Sequence, residues 1–262
     1  MEALLQSPVI DRSQRRRVSF TPLGESIIRD ARPILHQMEE ITHKAHNLKT
    51  PLSWPLTMGV IPTIAPYLLP RFLKPLQKLL PALKLHIHEM RSATLLERLH
   101  DGSIDFALMA FPFDTGAFSQ KILFEEKFVC AAPPNSFKNK RNITQKDLEI
   151  EKLLLLEDGH CLRDHALAAC NFIPKEDMKS LSAASLSTII QLVHQGYGLT
   201  LLPEMAVTGN AMLPKNITLR PFAANAPTRK IGFCYKNSGF RAADIALVTD
   251  AIGKILKKSS KD

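Results

Sequence analysis

Between Leu56 and Phe111 the sequence alternates short apolar runs with amphipathic stretches, and that alternation restricts the fold more than any other feature. PLTMGVIP reads as a strand, the leucine-rich segment from Tyr67 to Leu80 as a proline-punctuated helix, and LKLHIHEM as a strand with period-two alternation. SATLLERLHDG follows as a helix opened by Ser92 and closed by Gly102, and DFALMAF as a buried strand. Such an order calls for a parallel sheet with right-handed crossovers, because the chain must return over the sheet face between parallel neighbours.

A second round begins near EKFVCAAP. LLLLE is a strand ending at Glu157, a helix starts at about His160, and Ser185 caps another helix that runs through Gln195. LTLLP, ITLRPF and TRKIGFCYK are further strands, and a last helix spans about Phe240 to Lys257. The expected fold class is α/β, with two similar lobes joined by crossing segments and a cleft between them. Residues 51–262 form this region, divided into subdomain I at about 54–130 plus 237–262 and subdomain II at about 131–236.

Ahead of the Pro51 to Pro55 punctuation the pattern differs. DRSQRRRVSF reads as a small hairpin with Arg15, Arg16 and Arg17 near its tip, and Thr21 and Pro22 as an N-cap and first helical residue. Ile27, Ala31, Ile34, Met38, Ile41, Ala45 and Leu48 then recur at steps of four and three, a heptad seam that predicts a helix over 23–50 paired with another helix. Packing of that helix on its own domain is the other reading, and Pro33 is expected to kink or break it.

No apolar run approaches the roughly 18 residues of a spanning helix, and no export signal is apparent at the start, so a cytosolic protein is expected. Its net charge of +9 favours polyanions such as nucleic acid. In that compartment Cys130, Cys161, Cys170 and Cys234 are expected to be reduced, metal-binding or redox-active rather than structural bridges.

Cys161 and Cys170 bound the segment CLRDHALAAC, which reads as helical. Nine residues of helix rise about 13.5 Å, whereas a disulfide tolerates Cα atoms only about 7 Å apart. Linking the two requires the helix to unwind, which would turn a local oxidation into a change of fold. Cys161 is the candidate reactive thiol, at a helix start beside His160 and near Arg163, cations that favour thiolate; Cys170 lies among apolar residues. Two core hydrophobes remain the other reading, and a metal site using Cys161 and His165 at i, i+4 a third. Thr63, in VIPTIAPYLLP, sits at a strand end leading into a helix, where small polar ligands bind.

RRRVSFTPLG followed by a heptad helix, then GVIPTIAPYLLP and GYGLTLLPEMAV, resembles the wing end, linker helix and effector domain of LysR-type transcriptional regulators. EDGHCLRDHALAAC resembles the motif of OxyR-type peroxide sensors, with the same two cysteines at the same spacing. The resemblance implies a winged helix-turn-helix remnant at 1–22, a linker helix at 23–50 and a two-lobed periplasmic-binding-protein-like regulatory region, assembled as homodimers and tetramers. It also implies that hydrogen peroxide oxidises Cys161 to a sulfenic acid, that Cys170 captures it, and that a thiol reductant system resets the switch. Thr63, His160 and Arg163 match positions that surround the peroxide or support the thiolate.

Promoter DNA and RNA polymerase are the implied partners, with no cofactor, no metal and no enzymatic turnover. The sequence starts at about the end of the recognition helix, so Arg15, Arg16 and Arg17 are expected to make only phosphate contacts, which carry no sequence information. A regulator of the same fold that binds a small carboxylate in its cleft is the alternative. A thiol peroxidase is disfavoured by the lack of a Thr-x-x-Cys stretch around Cys161.

Overall fold

The computed structural model describes residues 1–12, 19–46, 51–149, 153–170, 182–208, 213–223 and 226–259. A short helix α1 (Glu2–Leu5) precedes a hairpin of β1 (Ile10–Asp11) and β2 (Ser19–Phe20). Arg15, Arg16 and Arg17 belong to the connection and lie outside the described residues. Thr21 caps α2 (Pro22–His46) as its sequence suggests: Oγ1 accepts the Gly24 amide at 3.1 Å, and Pro22 takes the first helical position, where no N–H is needed. The helix continues through Pro33, so the expected break does not occur. Ile34 and Met38 of the seam are 58% and 61% exposed.

The next elements are β3 (Leu56–Val60), α3 (Ala65–Leu79), β4 (Leu85–Glu89), α4 (Ser92–His100) and β5 (Phe106–Phe111). β3 pairs in parallel with both β4 and β5, the arrangement that the alternation requires. α3 keeps its course through Pro70 and Pro75 and buries Leu68, Phe72 and Leu76. A long strand β6 (Ser119–Ala132) then leads into α5 (Gln145–Glu149), β7 (Leu155–Leu156), α6 (Cys161–Cys170), β8 (Ser182–Ala183) and α7 (Leu186–His194). β9 (Thr200–Pro203), a short 3-10 turn (Glu204–Ala206), β10 (Thr218–Arg220), β11 (Thr228–Tyr235) and α8 (Ala242–Ser259) complete the order.

The sheet is mixed rather than parallel throughout. Its path is β10-β6-β11-β5-β3-β4, with β9 also on β6, and every pairing that involves β6 or β11 is antiparallel. These two strands are the crossing segments. The first part of β6 pairs with β11, and its last residues pair with β9 and β10. Two apolar cores result. One gathers β3, α3, α4, β5, β11 and α8 around Phe72, Phe106 and Phe233. The other gathers the end of β6 with β7, α6, α7 and β9 around Phe128, Ile189 and Leu202. Each core belongs to one lobe, and burial of apolar surface is what holds each together.

Candidate functional site

Helix α6 belongs to the second lobe through Leu162 and Ala166, yet its first residue, Cys161, packs into the core of the first. Cys161 is thus a plug across the seam between the lobes, with 4% of its surface exposed. Burial pushes its thiol pKa up from 9.0; the neighbouring Ser92 hydroxyl and the Arg229 charge oppose this, and Asp164 adds to it.

The charge balance differs from the one expected. The cationic form of His160 is disfavoured: burial, then the Arg91 charge, lower its pKa from 6.5 against the pull of Glu157. Arg163 turns to the Leu156 carbonyl (3.2 Å) and the Asp158 carboxylate (2.9 Å). The cation that acts on the thiol is Arg229, which the sequence reading missed.

Arg229 projects from β11 into the seam with its side chain fully buried. Nε pairs with Glu126 Oε1 at 2.7 Å, Nη1 donates to Thr63 Oγ1 at 3.1 Å, and Nη2 donates to the Thr63 carbonyl at 3.2 Å. Glu126 Oε2 in turn accepts the Met205 amide at 3.1 Å. Thr63 therefore does sit beside the cysteine region, held there by the guanidinium. A signal for this pair exists in the sequence. Arg229 shares an alternating face with Ile231 and Phe233, and Glu126 with Phe128 and Cys130, so two opposite charges fall on inward faces of apolar strands.

Among the described residues, His160 Nε2 and His165 Nδ1 are buried near Cys161 without a hydrogen-bond partner, and the buried Ser92 hydroxyl has only the Cys161 thiol beside it. Ser92 was expected to cap α4, but Arg91 takes the N-cap and Ser92 becomes the first helical residue, its hydroxyl left beside the thiol. His165 Nε2 lies 2.7 Å from the Pro112 carbonyl, which can only accept, so this nitrogen carries the proton and Nδ1 keeps a free lone pair. Burial also lowers the His165 pKa. Unsatisfied buried groups are costly unless something occupies the space between them.

Thr63 and His160 also line a cleft of about 270 Å³ between the lobes, together with Tyr67, Glu89, Leu156, Ser185 and Ser187. Its far wall is the start of α7, where Ser185 Oγ accepts the Thr188 amide at 3.2 Å. Cys170 closes α6, a full helix away from Cys161. Cys130 and Cys234 lie buried in strands, and burial pushes the Cys234 thiol up to about 12. Among the described residues no three His, Cys, Asp or Glu side chains converge to hold a metal ion, and no helix is long and apolar enough to cross a membrane.

Two α/β lobes joined by crossing strands, with a solute-sized cleft and a helix plugged across the seam, define a two-lobed periplasmic-binding-protein-like sensory domain. The chain belongs to the LysR family of transcription regulators: residues 50–255 match the LysR substrate binding domain. It is 34% identical over 258 residues to a probable hydrogen peroxide-inducible genes activator of Mycobacterium leprae, covering 98% of this chain and 82% of the relative. It is 32% identical over 255 residues to the HTH-type transcriptional regulator EstR of Acinetobacter baylyi, covering 97% and 84%. Among solved structures, a hydrogen peroxide-bound cysteine-to-serine mutant of OxyR from Corynebacterium glutamicum superposes with a TM-score of 0.74 at 31% identity, covering 98% of this chain and 81% of that one.

Proposed function

We propose that this chain is a peroxide-sensing regulator of transcription, switched by a reversible bond between Cys161 and Cys170. The observation that carries the reading is the position of Cys161: the first residue of α6, yet seated in the other lobe's core beside Arg229. The cleft is lined by Thr63 and by His160, the residue before Cys161, and the lone pairs and hydroxyls of Thr63, Ser92, His160 and His165 are the groups a peroxide molecule would meet beside the thiol.

Arg229 stabilises the thiolate as the proton leaves. The sulfur attacks one peroxide oxygen, an S–O bond forms as the O–O bond breaks, and the departing hydroxide takes up a proton to become water. Cys170 then attacks the Cys161 sulfur, forming S–S and releasing the second oxygen as water. Because α6 holds the two Cα atoms about 13.5 Å apart, the bond forms only if the helix unwinds and Cys161 leaves the first lobe's core. The plug is withdrawn, and the two lobes lose one of their shared contacts. A thiol reductant in the cytosol reverses the bond.

In an assembled homodimer or tetramer this rearrangement would be read out at promoter DNA and by RNA polymerase, with Arg15, Arg16 and Arg17 making phosphate contacts. Arg163, held by Leu156 and Asp158, serves the turn before Cys161 rather than the thiol itself. A second reading, a regulator whose cleft holds a small carboxylate, is favoured by the 270 Å³ volume facing the α7 N-terminus. The test is sulfenic acid trapping with dimedone. In Cys170→Ser, peroxide should yield a stable adduct at Cys161; labelling at Cys161 no greater than at Cys130 or Cys234 would favour the carboxylate reading.

A further inference from the structure

Arg91 comes from the first lobe, at the N-cap of α4, one residue before the Ser92 whose hydroxyl lies beside the Cys161 thiol. Its guanidinium reaches across the seam to the residues that precede Cys161. Nη2 meets Glu157 Oε2 at 3.1 Å and Nη1 donates to the Asp158 carbonyl at 3.3 Å. Gly159, in the left-handed region at φ +88°, passes so close beneath that an added Cβ would lie 3.6 Å from Arg91 Cδ. One side chain thus makes two hydrogen bonds to the segment Glu157–Asp158 and lies alongside Gly159, from the lobe that the plug must leave. Withdrawing Cys161 would move the turn that carries it and break these contacts.

We infer that Arg91 is a positioning residue for the thiol switch: a clasp across the lobes that holds the turn before Cys161 and sets how readily the oxidised cysteine escapes toward Cys170. The inference rests on the peroxide-sensor reading and deepens it. Arg91 does not touch the thiol, and its charge is not among those acting on it. Its effect therefore falls chiefly on the second step, in which Cys170 sulfur attacks the Cys161 sulfenic acid, S–S forms and water leaves, and reaches the first only through the small electrostatic influence of Arg91 on His160. Both partners are over two-fifths exposed (44% and 43%), so the clasp weakens with salt and its removal leaves both cores intact.

The experiment uses the full reduced chain, hydrogen peroxide, rapid acid quench and mass spectrometry of the Cys161–Cys170 bond. Arg91→Ala should form the disulfide about two to five times faster than wild type, the range an exposed pair supports. Sulfenic acid formation in the Cys170→Ser background should stay within about twofold. Raising ionic strength should speed the disulfide step of wild type but not of Arg91→Ala. Glu157→Gln, which leaves the Asp158 carbonyl contact in place, should accelerate the step less than Arg91→Ala, and the double variant should be no faster than Arg91→Ala alone. Arg91→Lys, which reaches only one acceptor, should fall between. A disulfide step in Arg91→Ala no faster than wild type, or an equal salt response in the two, overturns the clasp. If wild type forms no such bond at all, the sensor reading falls first and the clasp with it.

Discussion

Replacing Arg229 by Met removes the cation that, among the described residues, acts on the Cys161 thiol and strips Glu126 of its ion-pair partner in the same stroke. The Glu126 carboxylate would be left 4% exposed with one amide donor, from Met205. Breaking one side of a buried pair costs about 3–5 kcal/mol. In a domain of this size each kcal/mol moves the Tm by about 2–4 °C, so the single variant should melt roughly 6–20 °C lower. Replacing both partners, Glu126→Leu with Arg229→Met, leaves no charge to strand and should recover most of that loss.

The peroxide response should not recover with it, because the thiolate still lacks its counter-charge. Thermal melts by circular dichroism and stopped-flow oxidation of Cys161 separate the two effects. The reasoning is refuted if Arg229→Met melts within about 1 kcal/mol of wild type, or if the double variant regains wild-type oxidation rate along with stability.

Because burial raises the Cys161 thiol above 9.0, its alkylation rate in the reduced protein should climb steadily through pH 9; a plateau from pH 7 upward would contradict this. His160 and His165 have folded pKa values below 6.5, so the unfolded chain takes up protons first on acidification. Stability is accordingly complete above pH 6.5 and falls as pH drops below it; urea melts at pH 5 and 7 should show the loss, and His165→Gln should reduce it. Ile34→Lys with Met38→Lys places charge on the exposed face of α2 and should lower self-association in sedimentation, unless the lobes pair unaided.

Much of the architecture was legible from periodicity. The β3-α3-β4-α4-β5 order, the Thr21 and Ser185 caps and the cysteine-bounded helix all follow from local signals. The antiparallel course of β6 and β11 was not, since strand direction within a sheet is set by pairings distant in sequence. The site divides in the same way. Cys161, Thr63 and His160 do gather at one seam, but the source of positive charge was misplaced. Sequence neighbours suggested Arg163, whereas a helix turn directs that side chain back toward Leu156 and Asp158. The effective cation arrives on a strand 68 positions after Cys161, visible only as an arginine on an apolar alternation. Ser92 shows a similar limit: a serine at a helix start reads as a cap until the neighbouring lobe is placed against it.

Peptide mapping of the purified chain under non-reducing conditions, before and after micromolar peroxide, tests the switch most directly. A linked Cys161–Cys170 peptide that appears on oxidation and disappears with a thiol reductant is the expected result. Cysteines that stay free, or that oxidise no faster than Cys130 and Cys234, would contradict the switch and leave the cleft as the sensing site.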